Sequence, residues 1–389
     1  MNKQVYFLTI VAFVVGMVEL IIGGILDLMA ADLNVGLGKV GFLITIFSLI
    51  FAIGSPVLLI LTAAIERKRL MLMSLAVFLT GNIITVFSPG YAAVFIGRII
   101  LALSGALLII LCLTIAPSIV HPKYRGRAIG IVSMGVSASI VLGLPVGLFL
   151  GNAFGWRAPF VMITFLTILS TAGVFILMDR VEPKPSSPLK MQLATLKNRK
   201  IFFGQMITFL FLAGHTTLYA YLTPFAKITM DASGTWVSFI YLIFGIAAVS
   251  GGGVGGYLSD TIGPKRTIML TTVLFTAVMV GIPNMTFALP AFLVILIVWG
   301  LLSWTLAPAT QSYLISLSPE TSDIQQSLNN SALHLGIAFG SFIGGLVIEQ
   351  ASVEQNATVG SLLVMLAVGA AVVSMYGKEQ SKEAYRKRD

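Results

Sequence analysis

The sequence predicts an all-α integral membrane protein with twelve transmembrane helices in two six-helix bundles. Three observations predict it. Of 389 residues, 57% are hydrophobic and only 10% charged, whereas a soluble domain carries about 25% charged residues. With a mean hydropathy of +0.98, the chain has too few charges to coat a water-facing surface. A soluble enzyme, a nucleic-acid binder and a disordered scaffold are therefore poor readings. Second, the apolar residues fall into twelve separate runs long enough to cross a bilayer. Third, the Lys and Arg between those runs collect on alternate sides.

A hydrocarbon core of about 30 Å takes about 20 apolar residues, and every backbone polar group must be satisfied within the segment, which favours helices. The runs lie at roughly 5–28, 38–61, 70–88, 91–118, 128–150, 158–178, 201–223, 235–258, 267–287, 290–316, 326–349 and 358–376. No ten-residue alternation supports a barrel. The first run follows Lys3 and contains Glu19. It exceeds the about 7–15 residues of a signal-peptide apolar region, so it reads as a retained span.

With both termini cytoplasmic, the inner segments hold Lys3, the triplets Arg67–Arg69 and Lys123/Arg125/Arg127, six residues from Arg180 to Lys200, Lys265, Arg266, and five from Lys378 to Arg388. The outer side holds Lys39, Arg157 and Lys227, and Arg98 lies within a span. This asymmetry satisfies the positive-inside rule. It also accounts for the net charge of +9 and the pI near 9.7 with no nucleic-acid partner. The lone Cys112 forms no intrachain disulfide.

One connection is long. Residues 179–200, rich in Pro, Ser and Lys, read as a cytoplasmic linker with one amphipathic surface helix. It divides the chain into a bundle over 1–178, the linker, a bundle over 201–376 and a tail over 377–389. An offset of 197 relates the halves: Lys68 to Lys265, Arg69 to Arg266, Pro122 to Pro319, Gly143 to Gly340 and Gly147 to Gly344. An even number of spans per half makes this a parallel repeat, suited to two bundles rocking about a central site.

Local motifs point to a family. The segment GYLSDTIGPKR, Gly256 to Arg266, resembles the loop signature of the major facilitator superfamily. Gly256 and Gly263 suit close helix approach and a tight turn, and Asp260 can pair with a basic residue or cap the next helix. The resemblance implies a cytoplasmic gate formed by Gly256, Asp260, Gly263, Lys265 and Arg266. The first-half loop, Leu59 to Arg69, keeps the basic residues but has Ala63 and Glu66 in place of the signature's Asp and Gly. A partial latch and purely topogenic charge both remain open there. Gly143, Pro145 and Gly147 resemble the span-five antiporter signature of the drug:proton antiporter group, and FGWRAPF from Phe154 to Phe160 resembles the entry to span six in that group. Ordinary small-residue packing is the alternative. Ala213–Phe225, Trp299–Ile315 and Asp323–Gly345 resemble bacterial purine (base/nucleoside) efflux pumps and, more distantly, arabinose-efflux proteins.

Intramembrane charges cost about 2.5–3.5 kcal/mol at a helix centre and are functional hypotheses by default. Glu19 and Arg98 are such charges, and Thr216 and Ile295 stand at their repeat positions. A carboxyl that feels an Arg in only one conformation couples proton binding to movement. Glu19 is thus the candidate proton carrier and Arg98 its modulator, or a static counter-ion. Asp27 and Asp32 read as solvated or helix-linking. For a solute, the candidates are His215, Tyr219, Tyr221, Trp299, Trp304, Gln311, Asn329, Asn330 and His334, since amides match a purine edge and rings offer stacking faces. Interface anchoring and helix joining are the alternatives for each.

No Walker loop, metal cluster or cofactor motif is visible, and the glycine run Ser250–Gly256 ends a span and reads as helix packing. The expectation is a non-enzymatic, monomeric proton antiporter in the bacterial inner membrane. Its partners would be protons, lipid and a small polar aromatic solute, with multidrug or sugar efflux as alternatives. A passive facilitator, a non-transporting sensor and a membrane enzyme are the competing classes.

Overall fold

The computed structural model describes residues 3–121, 124–182 and 189–376. Pro122, Lys123, Lys184 and the basic tail 377–389, which entered the repeat and charge arguments, lie outside the described residues. The elements are α1 (Lys3–Leu33), α2 (Leu37–Leu61), α3 (Arg67–Val86), α4 (Tyr91–Ile115), α5 (Arg125–Ala138), α6 (Leu144–Phe154), α7 (Ala158–Leu177), α8 (Leu189–Thr195), α9 (Arg199–Tyr219), α10 (Leu222–Met230), α11 (Gly234–Ile262), α12 (Pro264–Gly281), α13 (Leu289–Leu317), α14 (Ser322–Gln350) and α15 (Gln355–Tyr376). Among the described residues there is no strand, and twelve spans are long and apolar enough to cross a membrane.

Three spans depart from the single helices expected, and the first, α1, is kinked at Ile25, whose backbone is not helical. The fifth is α5 and α6 joined by a π-helical turn, Ser139–Gly143. Pro145 has no N–H to donate and its ring crowds the carbonyl four residues back, so the preceding turn widens. The seventh stops at Tyr219 and restarts as α10, with Pro224 in the new first turn for the same reason. Among its described residues the linker contributes the seven-residue α8.

Because lipid is as apolar as a leucine side chain, helices in a membrane associate through close packing of small residues rather than through a hydrophobic force. In the first half, side chains on Gly143, Gly147 and Gly151 would collide with Met17, Ile21 and Ile25, so α1 lies directly along the fifth span. In the second half, Gly336, Gly340 and Gly344 face the carbonyls of Phe209, Ala213 and Thr217, placing α9 against α14 in the same way. The repeat-related pairs Gly143/Gly340 and Gly147/Gly344 thus do one packing job twice.

The halves meet where α2 packs on α14, the fifth span on α11 and α1 on α10. Thr45 and Ser341 hydroxyls lie 2.8 Å apart, and Ser331 donates to the Ala52 carbonyl at 3.1 Å. Thr223 donates to the carbonyls of Gly23 and Gly24, both at 3.0 Å, and Lys227 pairs with Asp27. Hydrogen bonds between membrane helices average about 0.6 kcal/mol each, so a seam held by a few of them can reopen. Contact between the fifth span and α11 runs through the π turn and α6, away from α8, and α5 makes no comparable contact. This seam is therefore closed on the face opposite the linker, the far face, and parted towards the linker face.

Two expectations for the α11–α12 loop need correction. Gly263 has φ +88°, a backbone that only glycine adopts readily, so the tight turn is present. A side chain at Gly256, however, would meet nothing within 4 Å. Asp260, Lys265 and Arg266 are exposed and make no ion pair among the described residues. Asp260 does not cap α12, whose N-cap is Gly263 with no side-chain hydrogen bond. With α11 and α5 apart, the gate residues have nothing to close upon.

In the first half Glu66 does different work. Its carboxylate caps α3 by accepting from the Lys68 and Arg69 amides at 2.8 and 2.9 Å, and also from Val181 N–H at 2.9 Å. Arg67 N–H donates to the Val181 carbonyl at 3.0 Å, and Lys68 Nζ donates to Met178. This clasp ties α3 to the start of the linker. Burial raises the Glu66 pKa, but the three amides outweigh it and hold the carboxyl below the usual glutamate range.

Candidate functional site

The fold gathers polar groups into a cavity of about 120 Å³ between the halves. From α1 it receives Glu19 and Gly23, and from α2 Ile44. The second half supplies most of the wall. Thr208, Leu212, His215, Thr216 and Tyr219 come from one face of α9, Phe244 from α11, Ser303, Trp304 and Gln311 from α13, and Asn329, Leu333 and Ile337 from α14. Helical spacing explains these sets: Thr208, Leu212, His215 and Tyr219 recur every three or four residues, as do Asn329, Leu333 and Ile337.

Glu19 faces this cavity, and its carboxylate Oε1 lies 3.1 Å from Nδ1 of His334. The contact is an ion pair only when the imidazole carries a proton, and Nδ1 makes no hydrogen bond among the described residues. Glu19 belongs to the first half and His334 to the second, so the contact crosses the seam. The His334 ring also packs on Phe51 of α2, with centroids 4.1 Å apart.

Arg98 is fully buried and does not pair directly with Glu19. It donates to the Val18 carbonyl at 2.8 Å, reaches Leu43 O at 3.4 Å and stacks on the Phe47 ring at 4.1 Å. By holding the carbonyl next to Glu19 it joins α1, α2 and α4, and it remains within electrostatic reach of the carboxylate.

The solute candidates separate into three groups. His215, Tyr219, Trp304, Gln311 and Asn329 line the cavity; Trp299, Asn330 and Tyr221 do not. Trp299 is wholly buried behind the wall, where it packs edge-on against His215 at 5.3 Å, Phe244 at 5.0 Å and Tyr219 at 6.0 Å. Its bulk backs the ring cluster instead of touching the space. Tyr221 donates to the Ser341 carbonyl at 2.9 Å and abuts Gly41 across the seam. His334 is diverted from the wall to Glu19. Asn329 combines both readings, since its Nδ2 donates to Gln205 Oε1 at 3.0 Å and Thr208 Oγ1 at 2.8 Å, joining α9 to α14, while its residue also lines the cavity.

Buried His215 Nδ1 and Trp299 Nε1 have no hydrogen-bond partner among the described residues. Leaving such a group unsatisfied costs about 1–3 kcal/mol, so a solute offering complementary atoms to His215 at the wall would recover part of that cost. Thr208, Ser303 and Phe244 are cavity residues that the sequence reading missed. The α9 periodicity through His215 would have identified Thr208. Asp27 and Asp32 are helix-linking: Asp32 accepts from Trp156 Nε1 at 2.8 Å and Arg157 at 2.7 Å, which gives the Trp156–Arg157 motif a far-face clamping role. Among the described residues no group of three or more metal-ligating side chains occurs.

Twelve spans, two glycine-stitched halves and a largely apolar cavity on their seam with a few polar groups in its wall define a membrane transporter. The profile of the Major Facilitator Superfamily matches residues 8–341 and 254–389, and the chain belongs to that family. It is 36% identical to the uncharacterized MFS-type transporter YbcL of Bacillus subtilis (strain 168), over 98% of each chain. A probable sugar efflux transporter of Mannheimia succiniciproducens is 25% identical, over 93% of this chain and 92% of the relative. Among solved structures, a bacterial homolog of the human lysosomal transporter Spinster, in an inward-facing and occupied conformation, superimposes with TM-score 0.81 at 14% identity, covering 97% and 98% of the two chains.

Proposed function

We propose that this transporter exports a small polar aromatic solute of the purine base or nucleoside type in exchange for protons, as a monomer in the bacterial inner membrane with both termini cytoplasmic. The observation that carries the reading is the Glu19–His334 pair, 3.1 Å apart, one partner on each half and the carboxyl facing the cavity. A protonated imidazole attracts an ionised carboxylate, and gain or loss of one proton removes that attraction. Protonation therefore changes how strongly the halves hold together beside the solute. Export follows if solute and proton favour opposite-facing states.

The ring faces of His215, Tyr219, Phe244 and Trp304, with amides at Gln311 and Asn329, suit a flat heterocycle. A second reading, sugar efflux, is favoured by the resemblance to the probable sugar efflux transporter of Mannheimia and by the hydroxyls of Thr208, Thr216 and Ser303. A thermal-shift screen with nucleobases, nucleosides, pentoses and lipophilic cations separates the two, because the cognate solute raises the unfolding midpoint. Coupling is tested in proteoliposomes with an imposed pH gradient. Wild type is expected to accumulate solute against its gradient, and full uphill transport by Glu19→Gln would overturn the carrier assignment. Passive facilitation would give equilibration without accumulation, and a sensor or enzyme would give no flux.

A further inference from the structure

We propose that a second site, on the membrane-facing seam of α2, α4 and α14 near the far face, binds a phospholipid with a primary-amine headgroup, of phosphatidylethanolamine type. A groove of about 730 Å³ opens there, sharing no residue with the central cavity. Its walls are aromatic and aliphatic. Phe42 stacks on Phe95 at 6.1 Å and meets Phe342 edge-on at 6.4 Å, so the floor crosses from one half to the other. Phe42, Ile96 and Phe342 are each more than a third exposed, as expected of surface that faces acyl chains rather than water.

Two opposite charges stand in this groove, one from each half. Lys39, at the start of α2, sits 5.2 Å over the Tyr91 ring, and the Tyr91 hydroxyl fixes that turn by donating to the Lys39 carbonyl at 2.7 Å. Glu349, near the end of α14, lays its carboxylate over Gly38 in the first turn of α2, where free backbone amides favour an anion. Both are exposed, and neither makes an ion pair among the described residues.

An apolar trough with one unpaired cation and one unpaired anion matches a ligand with an acyl tail, a phosphate and an ammonium. The phosphate would meet Lys39, the ammonium would donate to Glu349, and the tail would cover Phe42, Phe95 and Phe342. A quaternary choline headgroup has no N–H to donate, and glycerol carries no positive charge. Because Lys39 and Glu349 belong to opposite halves, the bound lipid bridges them and favours the state closed at the far face. None of this depends on the identity of the transported solute.

The test uses the purified full chain in equimolar phosphatidylethanolamine, phosphatidylcholine and phosphatidylglycerol, with retained lipid counted by native mass spectrometry. About threefold retention of phosphatidylethanolamine over each of the others is expected, the scale of exposed ion pairs. Lys39→Gln and Glu349→Gln should each bring the ratio close to one. On the unmodified chain, stepwise N-methylation of the headgroup should lower retention progressively. Equal retention of the three lipids, indifference to methylation, or a preference that survives both substitutions overturns the site. A phosphatidylglycerol preference also overturns it, since that would mark a simple cation patch.

Discussion

In the first half, Gly143 and Gly147 let α1 lie against the fifth span, and in the second half Gly340 and Gly344 do the same for α9 and α14. Glu19 and Thr216, related by the repeat, both line the cavity, as do Gly23 and Ala220. The backbone positions are thus duplicated. The chemistry is not: the first half carries the carboxylate and the buried arginine, whereas the second half carries the rings, amides and His334. The difference teaches that a duplicated scaffold can place unlike groups opposite one another across a seam, which a proton-dependent attraction between halves requires.

The largest expected effect comes from removing the first half's charge. Glu19→Gln should reduce gradient-driven accumulation in proteoliposomes to the level of empty vesicles. Adding Thr216→Glu to that variant moves the carboxylate to the repeat-related position, on the same half as His334, and should not restore it. Recovery of accumulation there would break the comparison, because a cross-seam pair would then be unnecessary.

The shared packing can be tested by its one inequality. A methyl group at Gly340 collides with the Ala213 backbone carbonyl, whereas at Gly143 it meets the Met17 side chain. Backbone cannot yield without parting the helices, but methionine can change rotamer. Thermal unfolding should show a loss of about 1–3 kcal/mol for Gly340→Ala and about 1 kcal/mol or less for Gly143→Ala. Equal losses would mean that the two stripes are stitched alike.

A smaller effect is expected for the ring wall. His215→Ala removes the face stacked on Tyr219 at 5.0 Å and should weaken cognate solute binding about tenfold, or about 1.4 kcal/mol, by isothermal titration. Glu19→Gln should leave that affinity nearer the wild-type value at a pH where the carboxyl is already protonated.

The smallest effect concerns the loops. Glu66 clasps the first-half loop, while Asp260 in the second makes no ion pair among the described residues. Because the folded-state pKa of Glu66 is depressed, its contribution is present above the ordinary glutamate value of 4.5 and is lost as pH falls through the lower folded value. Amide hydrogen exchange at Lys68, Arg69 and Val181 should therefore be protected at neutral pH and rise in Glu66→Gln, with little change at Lys265. Unchanged protection in the variant would remove the contrast between the loops.

Much of this was legible in the sequence. Span number and approximate position followed from the length of apolar runs, because lipid forces each crossing to satisfy its own backbone. Glu19 stood out because a carboxylate in a span is expensive, and His215 and Tyr219 because they share one face of α9. The pairing of Glu19 with His334 was not legible, since residues 315 positions apart carry no periodic signal that connects them. The π turn was hidden for a different reason: Pro145 announces a disturbance but not how the backbone absorbs it. Trp299 was misplaced because composition cannot tell a ring that faces a cavity from one that backs it. The clasp at Glu66 appeared only as a departure from a motif, though the departure itself marked the place.

That clasp also limits travel. With Val181 pinned to the head of α3 and α8 lodged against α2 and α14, only eight peptide steps separate two anchored points, a reach of at most about 29 Å. That covalent reach, rather than the longer one of the full run from 179 to 200, caps how widely the linker face can gape. Lengthening or cutting the connection would alter the amplitude of the swing without touching a residue that meets the cargo.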